Sequence, residues 1–217
     1  MRTLAIGDIH GSLTALEALG DFVGYTADDT IVTVGDYIDR GPDSKGVIDY
    51  LIDLKTSHQV VTLKGNHEVM MENARYSQQE LYFWLVNGGE ATLFSFDAER
   101  LDDINAKYWK FFDSCTRYHE TDDHIIAHAG LEPNVPPEKQ SDDFIFWHRI
   151  NDTQPHVSGK TLVCGHTPQR NGIPLALDHA ICIDTFAFGG KWLTCLDIDS
   201  GEYWQANERG ETHQGTL

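Results

Sequence analysis

Apolar positions along the chain fall into two alternating rhythms. Short runs rich in β-branched residues recur, each closed by glycine and a polar residue: Thr3–Ile6 before Gly7-Asp8, 30–34 before Gly35-Asp36, 60–63 before Lys64-Gly65-Asn66-His67, His124–Ala127 before His128-Ala129-Gly130, and Thr161–Cys164 before Gly165-His166. Runs apolar at successive positions predict strands buried on both faces. Between the first of them the spacing turns helical. Ser12 is placed to cap a helix carrying Leu13, Leu16, Leu19 and Val23; Asp43 or Ser44 is placed to cap another carrying Val47, Ile48, Leu51 and Leu54. Strand, loop, helix, strand predicts a layered α/β fold, in which ligands collect at the carboxyl ends of strands.

The stretch 75–120 breaks the rhythm. Its Leu81, Phe83, Trp84, Leu85, Phe94, Tyr108, Trp109, Phe111 and Phe112 have mostly helical spacing and no strand signal, so a helical insertion with a small aromatic core of its own is expected. Residues 132–143, with three prolines, read as a loop. Beyond it, 179–184, 192–199 and 203–205 predict antiparallel strands joined by turns at Gly189-Gly190 and Ser200-Gly201.

With 217 residues and 41% hydrophobic content, the chain has the size and composition of one folded domain spanning 1–217. Cys115, Cys164, Cys182 and Cys195 form no close pair, and the last three sit in strand-like surroundings. Buried free thiols in a reducing compartment are expected. No run approaches the ~18 apolar residues of a membrane span. The opening residues lack a signal-peptide pattern, so a cytoplasmic location is expected. The formal charge of −18 changes the picture most, because it argues against nucleic acid and against anionic lipid as partners.

Chemistry gathers at the five strand ends, which deliver Asp8 and His10, Asp36 and Asp39, Asn66 and His67, His128, and His166. Carboxylate, amide oxygen and imidazole suit Mn²⁺, Zn²⁺ or iron. The alternate spacing of Asp8 and His10 lets both face one way if the backbone stays extended. Any one such residue is ordinary turn chemistry; five successive strand ends are not. Two divalent ions about 3.5–4 Å apart would bind a phosphoryl oxygen while acidifying a shared water, with Asp36 as the natural bridge. Arg40 and Arg149 could clamp the remaining phosphate oxygens. His67, oriented by Asp39, could protonate an alkoxide leaving group.

Gly-Asp-Ile-His-Gly, Gly-Asp-Tyr-Ile-Asp-Arg-Gly, Gly-Asn-His-Glu, His-Ala-Gly and Gly-His-Thr, in that order, resemble the signature of the calcineurin-like metallophosphoesterases. More narrowly, they resemble the phosphoprotein phosphatases that act on phosphoserine and phosphothreonine, in compact bacterial or phage form. The resemblance implies a four-layer αββα sandwich of mixed sheets, with the helical insertion near the active-site edge. It implies Asp8, His10 and Asp36 on one metal, and Asp36, Asn66, His128 and His166 on the other. It makes His67 the proton donor, Asp39 its partner, and Arg40, Arg149 and Asn66 the substrate-binding groups. The implied cofactor is two divalent ions, Mn²⁺ foremost. The implied reaction is direct hydrolysis of a phosphomonoester, on protein or on a small molecule, by hydroxide bridging the two ions.

Three positions depart from that pattern. Lys64 stands where Arg is usual before Gly-Asn-His-Glu, Ala129 replaces the second glycine of His-Gly-Gly, and Phe186 stands where relatives carry Gly after Asp-Thr. The last change is expected to narrow the floor of the site. A symmetrical dinucleoside polyphosphate (diadenosine tetraphosphate) hydrolase on the same fold is the nearest rival reading. Such enzymes typically carry Ala in place of Asp39 and Asp in place of Glu68, and both positions here side with the protein phosphatases. A general small-phosphoester hydrolase is a further alternative. A non-catalytic scaffold would be expected to have lost ligands or proton donor, and all are present. The acidic total does not weigh against a phosphate substrate, since bound cations would set the field of the pocket and leave −18 to describe the outer surface.

Overall fold

A computed structural model describes residues 2–217; Met1, where the signal-peptide reading begins, lies outside them. The chain runs through β1 (Thr3–Ile6), α1 (Leu13–Val23), β2 (Thr30–Thr33), α2 (Ser44–Leu54) and β3 (Gln59–Thr62). Four short helices follow: α3 (Asn66–Asn73), α4 (Gln78–Trp84), α5 (Glu90–Ser95) and α6 (Ala106–Asp113). Then come β4 (Tyr118–Glu120), β5 (His124–Ala127), α7 (Asp142–Trp147), β6 (Thr161–Cys164), β7 (Leu175–Ala176) and β8 (Ala180–Cys182). The chain closes with β9 (Leu193–Asp197), β10 (Glu202–Ala206) and β11 (Thr212–Thr216).

These strands make two mixed sheets, in the orders β11-β10-β9-β1-β2-β3 and β4-β5-β6-β8-β7. In the first, β1, β2 and β3 are parallel, registered Leu4 to Ile31 to Val60, and β9 returns antiparallel beside β1. In the second, β5, β6 and β8 are parallel, with β4 and β7 antiparallel at the edges.

The period of two along each strand sorts its side chains among three cores. Leu4 and Ile6 face the helices, packing with Leu16 and Leu19 of α1 and Val47, Ile48 and Leu51 of α2. Ala5, between them, faces the opposite sheet, where it joins Val32, Ile126, Val163 and Leu196. Ile125, Ala127, Leu162 and Cys164 face outward again, beneath Ile145 and Phe146 of α7. Helix, sheet, sheet, helix is therefore the layering, and the fourth layer is thin. Each fully buried Leu or Ile contributes roughly 1.5–3 kcal/mol, so this alternation suffices to fix which face is which.

Several expectations change in detail. Asp43 caps α2, its carboxylate accepting from the Gly46 N–H at 2.8 Å, whereas Ser12 makes no cap bond at α1 and its hydroxyl is buried without a partner. The segment 75–120 is helical only as far as Asp113; its last three residues form β4, an antiparallel edge of the second sheet. Its aromatics build no separate core: Trp84, Tyr108, Phe111 and Phe112 join the helical layer over β1 and β2, Phe111 meeting Tyr37 edge-on at 5.3 Å. The strand expected over 179–184 does not pair with β9 and β10 but sits parallel to β6 in the other sheet. The loop expected at 132–143 holds a 3₁₀ turn, Pro137–Lys139, and ends two residues early, where α7 begins at Asp142. β11, polar throughout, was not expected. Three cysteines are buried, Cys115 is half-buried, and all four are free thiols, as expected. Among the described residues no helix is long and apolar enough to cross a membrane.

Candidate functional site

The carboxyl ends of β1, β2, β3, β5 and β6 meet at one edge of the sandwich because their backbones touch there. The amides of Ile9 and His10 both donate to the Asp36 carbonyl, at 3.1 and 2.7 Å. Two glycines permit the approach: a Cβ on Gly65 would stand 2.2 Å from Asp36 Oδ1, and one on Gly165 1.8 Å from Asp8 Oδ1. The backbone after β1 is not extended as the Asp8–His10 spacing suggested. His10 is left-handed (φ 45°), and the turn rather than the pleat aims both side chains inward.

Three histidines are held by backbone carbonyls. His10 Nδ1 lies 2.8 Å from Ile38 O, His128 Nδ1 2.9 Å from Val34 O, and His166 Nε2 3.1 Å from Trp147 O. A carbonyl only accepts, so each of these nitrogens carries the proton and the opposite nitrogen turns a lone pair toward the site. The His10 lone pair accepts from Arg40 Nη1 at 2.9 Å, while those of His128 and His166 meet further acceptors. Asn66 Oδ1 is 2.9 Å from His128 Nε2 and 3.0 Å from His166 Nδ1, while Asp36 reaches His10 Nε2 at 3.4 Å and His128 Nε2 at 3.6 Å. Acceptor set against acceptor is a polar cluster awaiting positive charge, and nitrogen with oxygen donors fits divalent Mn, Zn or Fe. Ligand atoms of His10, Asp36 and His67, and of Asp8, Asp36 and His128, converge within 4.8 Å; Asp36 belongs to both groups.

Electrostatics agrees. Burial pushes His10, His128 and His166 down, His166 to about 3, which favours neutral rings. Burial, with Asp36 nearby, pushes the Asp184 carboxyl up to about 7, and burial beside Asp184 and Asp36 lifts Asp8 as well. Burial alone would lift Asp36 too, but His128, His67 and His10 around it, with the His67 amide bonded to it, hold it low.

His67 is differently placed. Its Nδ1 donates to Asp39 Oδ2 at 2.6 Å, and both side chains are essentially buried. Burial lowers its pKa, yet Asp36 and Asp39 together outweigh burial and the net direction is up, toward a protonated ring. Asp39 in turn accepts from Trp84 Nε1 at 3.0–3.1 Å and from the Thr92 hydroxyl at 2.7 Å, and its own N–H donates to Thr92 at 2.8 Å. The helical segment after β3 thus grips the dyad from 45 and 53 residues away. It also holds the next residue, since Gly88 O, in a π-helical turn over Leu85–Gly89, accepts from the Arg40 amide at 3.2 Å. Asp39 and Arg40 are both left-handed (φ 71° and 70°), so this conformation needs such support. Glu68 ties β3 to β2 by accepting from the amides of Gly65, Asp36 and Tyr37, each at 2.9 Å.

Above the cluster lies a cavity of about 270 Å³, floored by Asp36, Asn66, His67 and His166 and walled by Arg40, Arg149, Pro168, Arg170, Phe186 and Phe188. Asp8, His10 and His128 are buried behind the floor. All ten expected site residues therefore gather here. The contributions of Arg170, Trp84 and Thr92 were not expected: a lone exposed Arg, a core-like Trp and a helical Thr carry no local signal. Asp184 was visible only as part of Asp-Thr.

A family model described as calcineurin-like phosphoesterase matches residues 1–192. The serine/threonine-protein phosphatase 1 of Salmonella typhimurium is 33% identical to this chain over 206 residues, covering 89% of it and 90% of the relative. An asymmetrical bis(5'-nucleosyl)-tetraphosphatase of Oceanobacillus iheyensis is 27% identical over 229 residues, covering 94% and 91%. The crystal structure of a cold-active protein-tyrosine phosphatase from a psychrophilic Shewanella shares the fold, with a TM-score of 0.68 at 16% identity over 98% of this chain and 80% of that one.

Proposed function

This chain belongs to the calcineurin-like phosphoesterases and is a hydrolase of that family; we propose that it acts on phosphomonoesters, chiefly phosphoserine and phosphothreonine side chains of proteins, with reach to phosphotyrosine and small phosphoesters. Asp8, His10 and Asp36 would hold one divalent ion and Asp36, Asn66, His128 and His166 a second, Mn²⁺ being the first choice for this donor set. Such ions supply the charge that polarises a phosphoryl oxygen and acidifies an attacking water. Arg40 and Arg149 grip the remaining oxygens, and Arg40 is braced for this by the Phe188 ring 4.7 Å beneath its guanidinium.

The contact between His67 and Asp39 carries the reading. An alkoxide is a strongly basic leaving group and needs a proton as the P–O bond breaks; a phosphate leaving from a polyphosphate does not. A buried imidazole kept protonated by a carboxylate at 2.6 Å is a device for the first reaction. Glu68 supports the same assignment, for its length lets one carboxylate reach three amides across two loops.

The test is turnover of phosphoserine, phosphothreonine and phosphotyrosine peptides beside diadenosine tetraphosphate by Mn²⁺-loaded protein. Monoester turnover that a chelator abolishes and Mn²⁺ restores is expected. A clear kinetic preference for the dinucleotide would overturn the assignment.

A further inference from the structure

One side of the cavity plays no part in gripping phosphate. The segment 185–190 folds back on itself there, with the Thr185 hydroxyl donating to Trp192 O at 2.7 Å and the Phe186 N–H to Asp184 Oδ1 at 3.1 Å. Phe186 is left-handed (φ 65°), a conformation glycine adopts freely and a bulky side chain does not. Its ring is nonetheless seated: it lies flat on Gly189, where a Cβ would come within 2.0 Å of it, and meets Phe188 edge-on at 4.8 Å. The Arg170 guanidinium stands 5.5 Å from its centroid. Phe186 is half-buried, Arg170 is exposed, and both border the same cavity as His67. Strain held in place at a site wall, by a ring that borders the cavity, points to a contact with substrate.

We propose that Phe186 and Arg170 form a leaving-group subsite that selects a planar aromatic ring on, or one carbon from, the ester oxygen. This rests on the phosphomonoesterase reading and widens it toward aryl and benzyl esters, phosphotyrosine among them; the short substituents of phosphoserine and phosphothreonine are held by the phosphate clamp alone. With the phosphoryl group between Arg40 and Arg149, the ester oxygen faces His67 and its substituent extends toward the aromatic wall. A flat ring can pack against Phe186 beside the Arg170 guanidinium; a puckered or short aliphatic substituent covers neither. Aromatic contacts of this kind correspond to a preference of about three- to tenfold. A nucleobase, separated from its phosphate by a ribose, would reach past this wall.

Benzyl phosphate and cyclohexylmethyl phosphate separate the idea from leaving-group chemistry, because both release a primary alkoxide and differ in the ring alone. The Mn²⁺-loaded wild type should favour benzyl phosphate by about three- to tenfold in kcat/KM, and Phe186→Leu should bring the ratio close to one. Phe186→Gly, which relieves the left-handed backbone, guards against a misfolded variant and should give the same collapse. Calorimetric binding of phenylphosphonate against cyclohexylphosphonate should show the same ratio without turnover. Equal kcat/KM for both esters in the wild type, or a ratio untouched by either substitution, overturns the subsite while leaving phosphomonoester hydrolysis standing. Hydrolysis of neither ester overturns both.

Discussion

The floor and the wall of the cavity are built on opposite plans. On and behind the floor, His10, His128 and His166 are tied to backbone carbonyls, His67 to the Asp39 carboxylate, and each carboxylate is nearly buried, so orientation is set by the fold itself. On the wall, Arg40, Arg149 and Arg170 are exposed; Arg40 leans on Phe188 and reaches back to His10 Nε2 at 2.9 Å, and Arg170 stands over Phe186. Rigid donors suit chemistry that fails with a small misplacement; long mobile side chains suit recognition that must tolerate different substrates. The difference predicts steep losses below and graded losses above.

His67→Asn should test the steep end. It removes the proton donor without touching the acceptor cluster, so bound metal measured by elemental analysis should persist while kcat on phosphoserine falls about 10²–10⁴-fold. Near-normal kcat would detach His67 from the reaction and blur the contrast. On the wall, Arg149→Ala should cost about 10–100-fold in kcat/KM, mostly through KM, as expected for losing charge-assisted bonds to phosphate; a loss confined to kcat would move Arg149 to the floor in function. Trp84→Phe lies between. Removing one N–H from a buried carboxylate should lower kcat about tenfold with little change in KM, and an unaltered kcat would mean that Thr92 alone suffices to hold Asp39.

Far from both regions, Arg2→Ala gives a baseline. Arg2 hydrogen-bonds Asp29 at 2.6 Å and holds that carboxyl well below the usual range. A folded-state pKa lowered in this way adds stability above the unfolded value near 4, and the gain fades as pH falls through the folded value. The variant should therefore lose about 1 kcal/mol at neutral pH, with the gap to wild type closing in acid and kcat unchanged. Urea titrations at pH 7 and pH 3 would show it.

What could be read from the chain follows the same division. Asp8, Asp36, Asn66, His128 and His166 were legible because each follows an apolar run directly, and the fold joins such ends without needing to know the rest. Trp84 and Thr92 were not, because their partner lies far away in sequence and their own neighbours look like ordinary helix. Phe186 was visible as an oddity, yet only its φ and its seat on Gly189 gave the oddity a role. Among the strands, β8 was found but assigned to the wrong sheet, since alternation reveals a buried strand and not its neighbour. β11 was missed because Thr-His-Gln-Gly-Thr has no apolar face to detect.

Six of the seven non-glycine residues with positive φ among the described residues, namely His10, Asp36, Asp39, Arg40, His166 and Phe186, line this site or lie directly behind its floor; Asp97 alone lies elsewhere. Each such residue costs roughly 1–2 kcal/mol, against a whole-domain margin of about 5–15 kcal/mol. Selection for heat resistance would therefore favour glycine at these positions, and each gain would erase a functional side chain. A thermostable descendant that keeps its activity must gather its reserve elsewhere, in the helical layer and the core between the sheets.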